Sequence, residues 1–446
     1  MKRYRWYCEA LVIVGVLLQL CVGPVTWDAL AWPVNGIVLV AFVALLVLMH
    51  TYGAKVSALR YLCTTQTAVS ALVYAVVLTT VMGLTRQTED GGWLRSMLTF
   101  WPFVLIYAYL DFILGLTILR QLKAFHLGLF IVLTAATLGS ADVQRLKMMA
   151  VEGQPEWRAM DSERRIFSLP MGIELKRFIM ETYDNGAPKR YASDVEITTS
   201  EGKHLCGTVE VNHPLKVEGW SIYQIDYDMA AGAQSRVSIL ELVRDPWLPF
   251  VYVGIALMLL GALSLVRYTR WSYKHLLHVG ILVAVALACV SYLMPVIRST
   301  QLVPALQSPW FYPHIIMYIV CYSLMGVVAV MALWTLLRGP QSEGRGQTIA
   351  NLVYVGLTFM TFGMLFGALW AKEAWGDYWA WDPKETWAAI TWFAYLVYIH
   401  YRRIPHHSDR LALVMLIVAF VLLQMCWWGI KFLPSAQGMS IHVYSS

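Results

Sequence analysis

Residues 33–50 read PVNGIVLVAFVALLVLMH and contain no aspartate, glutamate, lysine or arginine. An α-helix of roughly 20 such residues spans the hydrocarbon core of a bilayer. Similar runs recur along most of the chain, so the sequence predicts an all-α polytopic membrane protein with about eleven transmembrane helices. We place the predicted spans near residues 9–25, 33–50, 64–84, 97–118, 124–140, 247–266, 275–296, 312–337, 349–370, 386–402 and 411–430.

Composition and charge agree with a membrane location. Apolar residues make up 58% of the chain and charged residues 14%, which lies outside the range of ordinary soluble domains. The net charge of +6 is scattered over short loops and indicates membrane topology, not a nucleic-acid surface. With the N-terminus inside, every predicted inner loop carries lysine or arginine, while the short outer loops carry far fewer. The positive-inside rule therefore predicts an N-in, C-out topology.

One stretch, from about 141 to 245, breaks the apolar pattern. It is polar, and residues 194–199 and 219–227 alternate polar with β-branched or aromatic side chains. This period of two is typical of β-strands. The topology places a small β-rich domain outside the membrane. The chain is thus divided into five spans in 1–140, the β-rich domain in 141–245, and six spans in 246–446.

Cysteine usage argues against two kinds of site. The seven cysteines are dispersed, and no two form a Cys-x-x-Cys pair. Most lie within apolar runs, where cysteine usually behaves as a small buried hydrophobic residue. We therefore expect neither a thiol-redox mechanism nor a structural zinc site in this chain.

The outer loop between the ninth and tenth spans is rich in tryptophan and reads WGDYWAWDPKETW at residues 375–387. Asp382 suits a helix N-cap and Pro383 a first helical turn, so the tenth span is predicted to begin here. The loop rings suggest a platform for a large planar ligand, although an aromatic belt with a helix cap would also explain them. The candidate residues of this loop are Trp375, Trp379, Trp381 and Asp382.

Four histidines form two candidate pairs at opposite faces of the predicted membrane region. His314 and His442 lie on the outer side with the tryptophan loop, and His126 and His400 lie toward the inner side. Neutral imidazole is the usual axial ligand of haem iron, and two imidazoles complete its coordination. For any single histidine, the alternative is an interfacial residue that only makes a hydrogen bond. Asp111, inside the fourth span, suits either substrate passage or pairing with a neighbouring helix.

The C-terminal half resembles a known family. Residues 375–385, WGDYWAWDPKE, resemble the WWD motif of haem-handling proteins. Residues 306–314 (LQSPWFYPH), 398–402 (YIHYR) and 438–442 (GMSIH) are similar to the histidine-bearing segments of the CcsA (ResC) family.

The N-terminal half resembles the partner family, CcsB (ResB). Residues 123–130, KAFHLGLF, are similar to its histidine-bearing helix start, and residues 212–224, NHPLKVEGWSIYQ, resemble a strand pair in its outer domain. Together the two resemblances predict a natural CcsB–CcsA fusion of the System II cytochrome c synthase type.

The resemblance implies a haem lyase whose substrate and bound ligand is haem b. Haem would enter near His126 and His400, then move outward to His314 and His442, against Trp375, Trp379 and Trp381 beside Asp382. The implied partners are exported apocytochromes c carrying Cys-x-x-Cys-His, thiol-reducing proteins and membrane lipid. The implied location is the bacterial cytoplasmic membrane, with the functional loops on the periplasmic side.

Three other functions fit parts of the sequence. A haem exporter or chaperone would share the tryptophan motif without performing ligation. A b-type cytochrome would use the paired histidines to hold two redox-active haems, but the tryptophan loop would then have no purpose. A transporter of an unrelated aromatic substrate would bind no haem. The four histidines and the β-rich domain favour the synthase.

Overall fold

A computed structural model describes residues 6–56, 61–62, 64–88, 92–269, scattered positions between 280 and 292, 301–339 and 343–436. The predicted span at 275–296 and the candidate ligand His442 lie outside the residues that are fully described. Within the described parts, ten α-helices are assigned outside that span. They are α1 Tyr7–Cys21, α2 Val34–Tyr52, α3 Thr65–Leu84, α4 Trp101–Arg120, α5 Ala124–Gly139, α6 Leu248–Leu263, α7 Phe311–Arg338, α8 Glu343–Trp375, α9 Pro383–Tyr401 and α10 Asp409–Trp427.

The helices confirm a polytopic membrane protein. Among the described residues, eight helices are long and apolar enough to cross a bilayer. They are α2 to α8 and α10, where α5 and α6 are counted with the 3-10 turns that extend them to Asp142 and Arg267. Helix α1 is shorter, with 15 residues. Helix α9 has the length of a span, but its tryptophans, tyrosines and threonines lower its hydropathy, and most of its side chains are buried against other helices. The total of about eleven spans and the N-in, C-out orientation stay predictions.

The predicted β-rich domain is an eight-stranded antiparallel sheet in the order β5-β4-β3-β2-β1-β8-β7-β6. Both runs with the alternating pattern form strands, as β4 and β7. The strands are β1 Gln144–Val151, β2 Pro155–Met160, β3 Ile166–Thr182, β4 Pro188–Thr198, β5 His204–Glu210, β6 Leu215–Val217, β7 Trp220–Tyr227 and β8 Val237–Arg244.

The sheet is inserted between α5 and α6. Strands β1 and β8 pair in unbroken register, from Gln144 opposite Arg244 to Val151 opposite Val237. Below them α5 and α6 pack backbone to backbone, since a Cβ atom added to Gly128 would lie 2.5 Å from the carbonyl oxygen of Gly254. The two helices therefore hold the membrane-side ends of two neighbouring strands, β1 and β8, together.

The membrane helices of the N-terminal and C-terminal parts share one core. Ala135 on α5 and Ile255 on α6 are buried in the same apolar cluster as Leu324 on α7 and Tyr395 on α9. Helix α3 also packs closely on α9. The tryptophan loop between α8 and α9 consequently lies where the two parts and the sheet meet.

Candidate functional site

The start of α9 is fixed by the residues that the sequence predicted. The Asp382 carboxylate accepts a hydrogen bond from the backbone N–H of Glu385 at 2.8 Å. The Glu385 carboxylate accepts from the backbone N–H groups of Ala380, at 2.8 Å, and Asp382, at 3.2 Å. This reciprocal capping box, followed by Pro383 in the first turn, confirms the predicted helix start. It also fixes the end of the tryptophan loop.

Trp379 and Trp381 form one aromatic group with helix α4. Their rings meet edge to face, with centroids 5.7 Å apart and planes at 88°. Trp381 also lies 6.1 Å from the ring of Phe103 and 6.1 Å from that of Tyr107. Residues of α4 thus complete the group, and nothing in the local sequence signalled Phe103 or Tyr107 as members.

Trp375 belongs to a second group with His314. The Trp375 and Trp370 ring centroids are 5.4 Å apart, and Trp370 lies 5.7 Å from the imidazole of His314. The loop tryptophans therefore do not stack as a single flat platform. They border the loop as two separate groups, one beside α4 and one beside the N-terminal end of α7.

His314 is oriented by helix α8. Its Nδ1 lies 2.8 Å from the carbonyl oxygen of Gly363, and a Cβ atom added to Gly367 would approach that nitrogen to 2.7 Å. The contact favours a proton on Nδ1, which is the tautomer in which Nε2 can ligate a metal. His314 thus has a geometry suited to axial ligation. Its predicted partner, His442, lies outside the described residues.

The structure brings His126 and His400 together at the predicted inner site. They lie near enough for their charges to act on each other, with Lys123 and Arg403 also close. Nδ1 of His400 faces the carbonyl oxygen of Leu396 at 2.8 Å. Nδ1 of His126 is buried and has no hydrogen-bond partner among the described residues. Because buried polar atoms are nearly always satisfied, this nitrogen fits a site that receives a ligand such as haem iron.

Comparison with known families agrees with the two-part architecture. A family model described as the ResB-like family matches residues 123–238, and one described as Cytochrome C assembly protein matches residues 248–436. Proteins named cytochrome c biogenesis protein CcsA are 31% identical over 158 residues in Chlamydomonas reinhardtii and 32% identical over 189 residues in Nicotiana tomentosiformis.

The chain fuses a ResB-like part to a CcsA-like part. The relatives match 33% of this chain, which covers 44% of the Chlamydomonas protein and 59% of the Nicotiana protein. A CcsA protein of Mesostigma viride is 30% identical over 182 residues, or 58% of its length. The chain thus spans about half the length of the curated relatives it matches.

The sheet of the ResB-like part contacts the tryptophan loop of the CcsA-like part. Arg145 on β1 pairs with Asp377 of the loop at 3.1 Å and with Glu241 on β8 at 3.2 Å. Burial raises the pKa of the Glu241 carboxyl, and the charge of Arg145 opposes that rise. Neither Arg145 nor Glu241 lies in a recognisable motif, so the sequence alone does not indicate this contact.

Asp111 joins two neighbouring helices, α4 and α5. Its Oδ2 accepts a hydrogen bond from the Thr134 hydroxyl on α5 at 2.8 Å. The contact favours pairing with a neighbouring helix, one of the two roles that the sequence left open. Thr134 also borders a cavity of about 780 Å³, which lies between α2, α5, α6 and the base of the sheet. That cavity is lined by Trp32 and Trp247 and is separate from the tryptophan loop.

Proposed function

We propose that this chain is a System II cytochrome c synthase, which moves haem across the membrane and attaches it to exported apocytochromes c. The main support for this proposal is that residues 248–436 match the cytochrome c assembly family. Within that part, His314 shares an aromatic group with Trp370 on α8 and Trp375 of the tryptophan loop. Fusion to a ResB-like part supports a complete synthase more than a haem exporter alone.

In this proposal, His126 and His400 hold haem iron at an inner station. The buried and unpartnered Nδ1 of His126 supports this role, as does the proximity of the two imidazoles. Both rings would be neutral, since a lone pair on nitrogen is needed for ligation. Phe125 and Trp392, whose rings are 6.1 Å apart, would shield the porphyrin from lipid.

The outer station would use His314 and His442 to hold haem iron, with the tryptophan loop against the porphyrin. Trp375 would contact haem from the side of α7, and Trp379 with Trp381 from the side of α4. Asp382 would act by fixing the loop through its cap on α9. These assignments rest on the ring geometry and on the tautomer that the Gly363 carbonyl favours in His314.

The proposed reaction needs no nucleophile from this chain. Each cysteine thiol of a Cys-x-x-Cys-His segment adds across one haem vinyl group. The sulfur bonds to one vinyl carbon and the thiol hydrogen passes to the other, so the addition is redox-neutral. The enzyme would contribute mainly by holding haem and the two thiols in reacting geometry. The histidine of the apocytochrome would then replace one protein ligand and release the product.

The proposed setting follows from the substrate. Haem b would be drawn from the inner side of a bacterial cytoplasmic membrane, and ligation would take place on the periplasmic side. Thiol-reducing proteins would keep the apocytochrome cysteines as thiols before ligation, since a disulfide cannot add to a vinyl group.

Maturation of a reporter tests the proposal. The full chain is expressed with an exported apocytochrome carrying Cys-x-x-Cys-His, in bacteria that lack their own c-type maturation proteins. Haem staining of a denaturing gel then detects covalent haem on the reporter. We expect a stained band that is lost in the combined Trp379→Ala and Trp381→Ala variant, and kept in Trp157→Ala, which changes an exposed tryptophan of the sheet. Haem that copurifies with the chain while the reporter stays unstained would favour an exporter or a b-type cytochrome.

A further inference from the structure

Arg145 connects three chain segments that are far apart in sequence. Its guanidinium pairs with Glu241 within the sheet and with Asp377 in the tryptophan loop. It also donates a hydrogen bond to the carbonyl oxygen of Gly376 at 3.4 Å. A planar guanidinium offers five donors in a fixed arrangement, so one side chain can join a strand to a loop in this way.

The contact extends to the tryptophans through Asp377. One carboxylate oxygen of Asp377 pairs with Arg145, and the other accepts a hydrogen bond from the backbone N–H of Trp379 at 3.4 Å. Arg145 therefore orients the carboxylate that in turn holds the backbone of Trp379.

A second cation acts on the same turn. Lys372, near the end of α8, is buried and donates a hydrogen bond from Nζ to the carbonyl oxygen of Gly376 at 2.9 Å. Asp245, just after β8, faces that ammonium group: burial raises the pKa of the Asp245 carboxyl, and the charge of Lys372 opposes the rise. The turn at Gly376 is thus held by one cation from the sheet and one from the membrane part.

We propose that Arg145 is a positioning residue, through which the sheet of the ResB-like part fixes the tryptophan loop of the CcsA-like part. Its role in maturation rests on the function proposed above, whereas its effect on the loop does not. Glu241 is almost fully buried and keeps the guanidinium in place from the side of the sheet. The β domain would thereby set the geometry in which Trp379 meets its ligand.

Hydrogen exchange tests the structural half of this inference on the full-length chain in detergent. We expect Arg145→Ala to raise the exchange rate of the backbone amides of residues 376–382 by about threefold to tenfold, as removal of a half-exposed ion pair within a small network would do. The matched control is Arg236→Ala, which removes an ion pair of 2.9 Å with Glu152 in the same sheet but does not touch the loop. If Arg145→Ala leaves the loop exchange within twofold of the unaltered chain, the inference is wrong.

Reporter maturation tests the functional half. We expect Arg145→Ala to lower covalent haem on the reporter by about threefold to tenfold at an unchanged amount of chain in the membrane. Asp377→Ala should do the same, and the double variant should be no worse than either single one, because both act through one contact. Additive losses in the double variant would overturn a shared positioning role. An unaltered chain that leaves the reporter unstained would refute the proposed function, while the exchange experiment would still decide the loop contact.

Discussion

Gly376 is the residue at which the loop leaves α8, and its backbone has a φ of 77°. A Cβ atom here would lie 3.0 Å from a ring carbon of Tyr223, on the sheet. Substitution by alanine therefore meets both a conformational cost of about 1–2 kcal/mol and a close contact. Gly376 lets the loop approach the sheet more closely than another residue could.

We expect Gly376→Ala to lower reporter maturation by about threefold or more, because the loop must move away from the sheet. Gly202→Ala is the matched control: its φ is 78°, but no atom lies within 4 Å of the added Cβ position. It should carry a similar conformational cost without altering maturation. Haem staining of the reporter measures both, and equal yields from the two variants would contradict the proposed close contact.

His126 has a buried Nδ1 with no hydrogen-bond partner among the described residues, which fits a proposed iron ligand. We expect His126→Ala to reduce the haem that copurifies with the chain by about tenfold, since an axial ligand is lost. His50→Ala, which changes an exposed histidine at the end of α2, should retain the haem. Absorption of the purified protein in the haem Soret band provides the measurement. Unchanged haem in His126→Ala would remove His126 from the ligand set.

At the scale of elements, the cap of α9 allows a test that separates helix formation from charge. We expect Asp382→Ala to cost about 1 kcal/mol of stability and to lower maturation, whereas Asp382→Asn should retain most of both, since asparagine also caps helices. Thermal unfolding and reporter staining would be measured in parallel.

The control for this cap is Ser408→Ala at the start of α10, where the serine side chain accepts a hydrogen bond from the N–H of Leu411. It should cost similar stability and leave maturation intact, because that cap follows the C-terminal end of α9, whereas the tryptophan loop lies at the N-terminal end. Equal loss of maturation in Asp382→Asn and Asp382→Ala would show that the carboxylate charge itself is required.

Sequence patterns predicted several helices and strands, because the residues that determine these elements lie within the elements themselves. Alternation over a few residues is sufficient to indicate β4 and β7, and the Asp382–Pro383 pair is sufficient to indicate the start of α9. The grouping of the rings is different. Trp381 meets Phe103, and Arg145 meets Asp377, across more than two hundred residues of chain. No local periodicity encodes such pairs, so only the folded chain shows them.

At the scale of the whole molecule, the orientation in the membrane stays a prediction with a direct test. Cys206 is exposed on β5, in the sheet that the topology places outside. We expect a membrane-impermeant thiol reagent to label it in intact cells, and the label to fall in Cys206→Ser. A cysteine placed in the predicted inner loop by Arg410→Cys should react only after lysis. Labelling of Arg410→Cys in intact cells, with Cys206 protected, would reverse the topology.

The N-terminal and C-terminal membrane parts share a core whose contacts neither part's sequence indicates alone. Gly83 on α3 leaves room for the indole of Trp387 on α9, whose Nε1 would lie 3.1 Å from an added Cβ atom. The Gly83 carbonyl oxygen also accepts a hydrogen bond from Ser435, after α10, at 2.8 Å. Hydropathy identifies the spans because each span is apolar along its own length. It does not indicate which helices pack against each other, since that depends on contacts such as these.

The register of β1 with β8 has a consequence for how the chain can be rebuilt. Gln144 and Arg244 are direct neighbours across the sheet, so the points of entry and exit of the β domain are about 5 Å apart. The β domain is therefore an insertion with adjacent ends. If it were removed, a short peptide would be enough to rejoin α5 and α6. A protein shortened in this way would keep every histidine of the membrane helices. It would lose the contact of Arg145 with Asp377 in the tryptophan loop. Equally, another domain with adjacent termini could be grafted onto the same two helices.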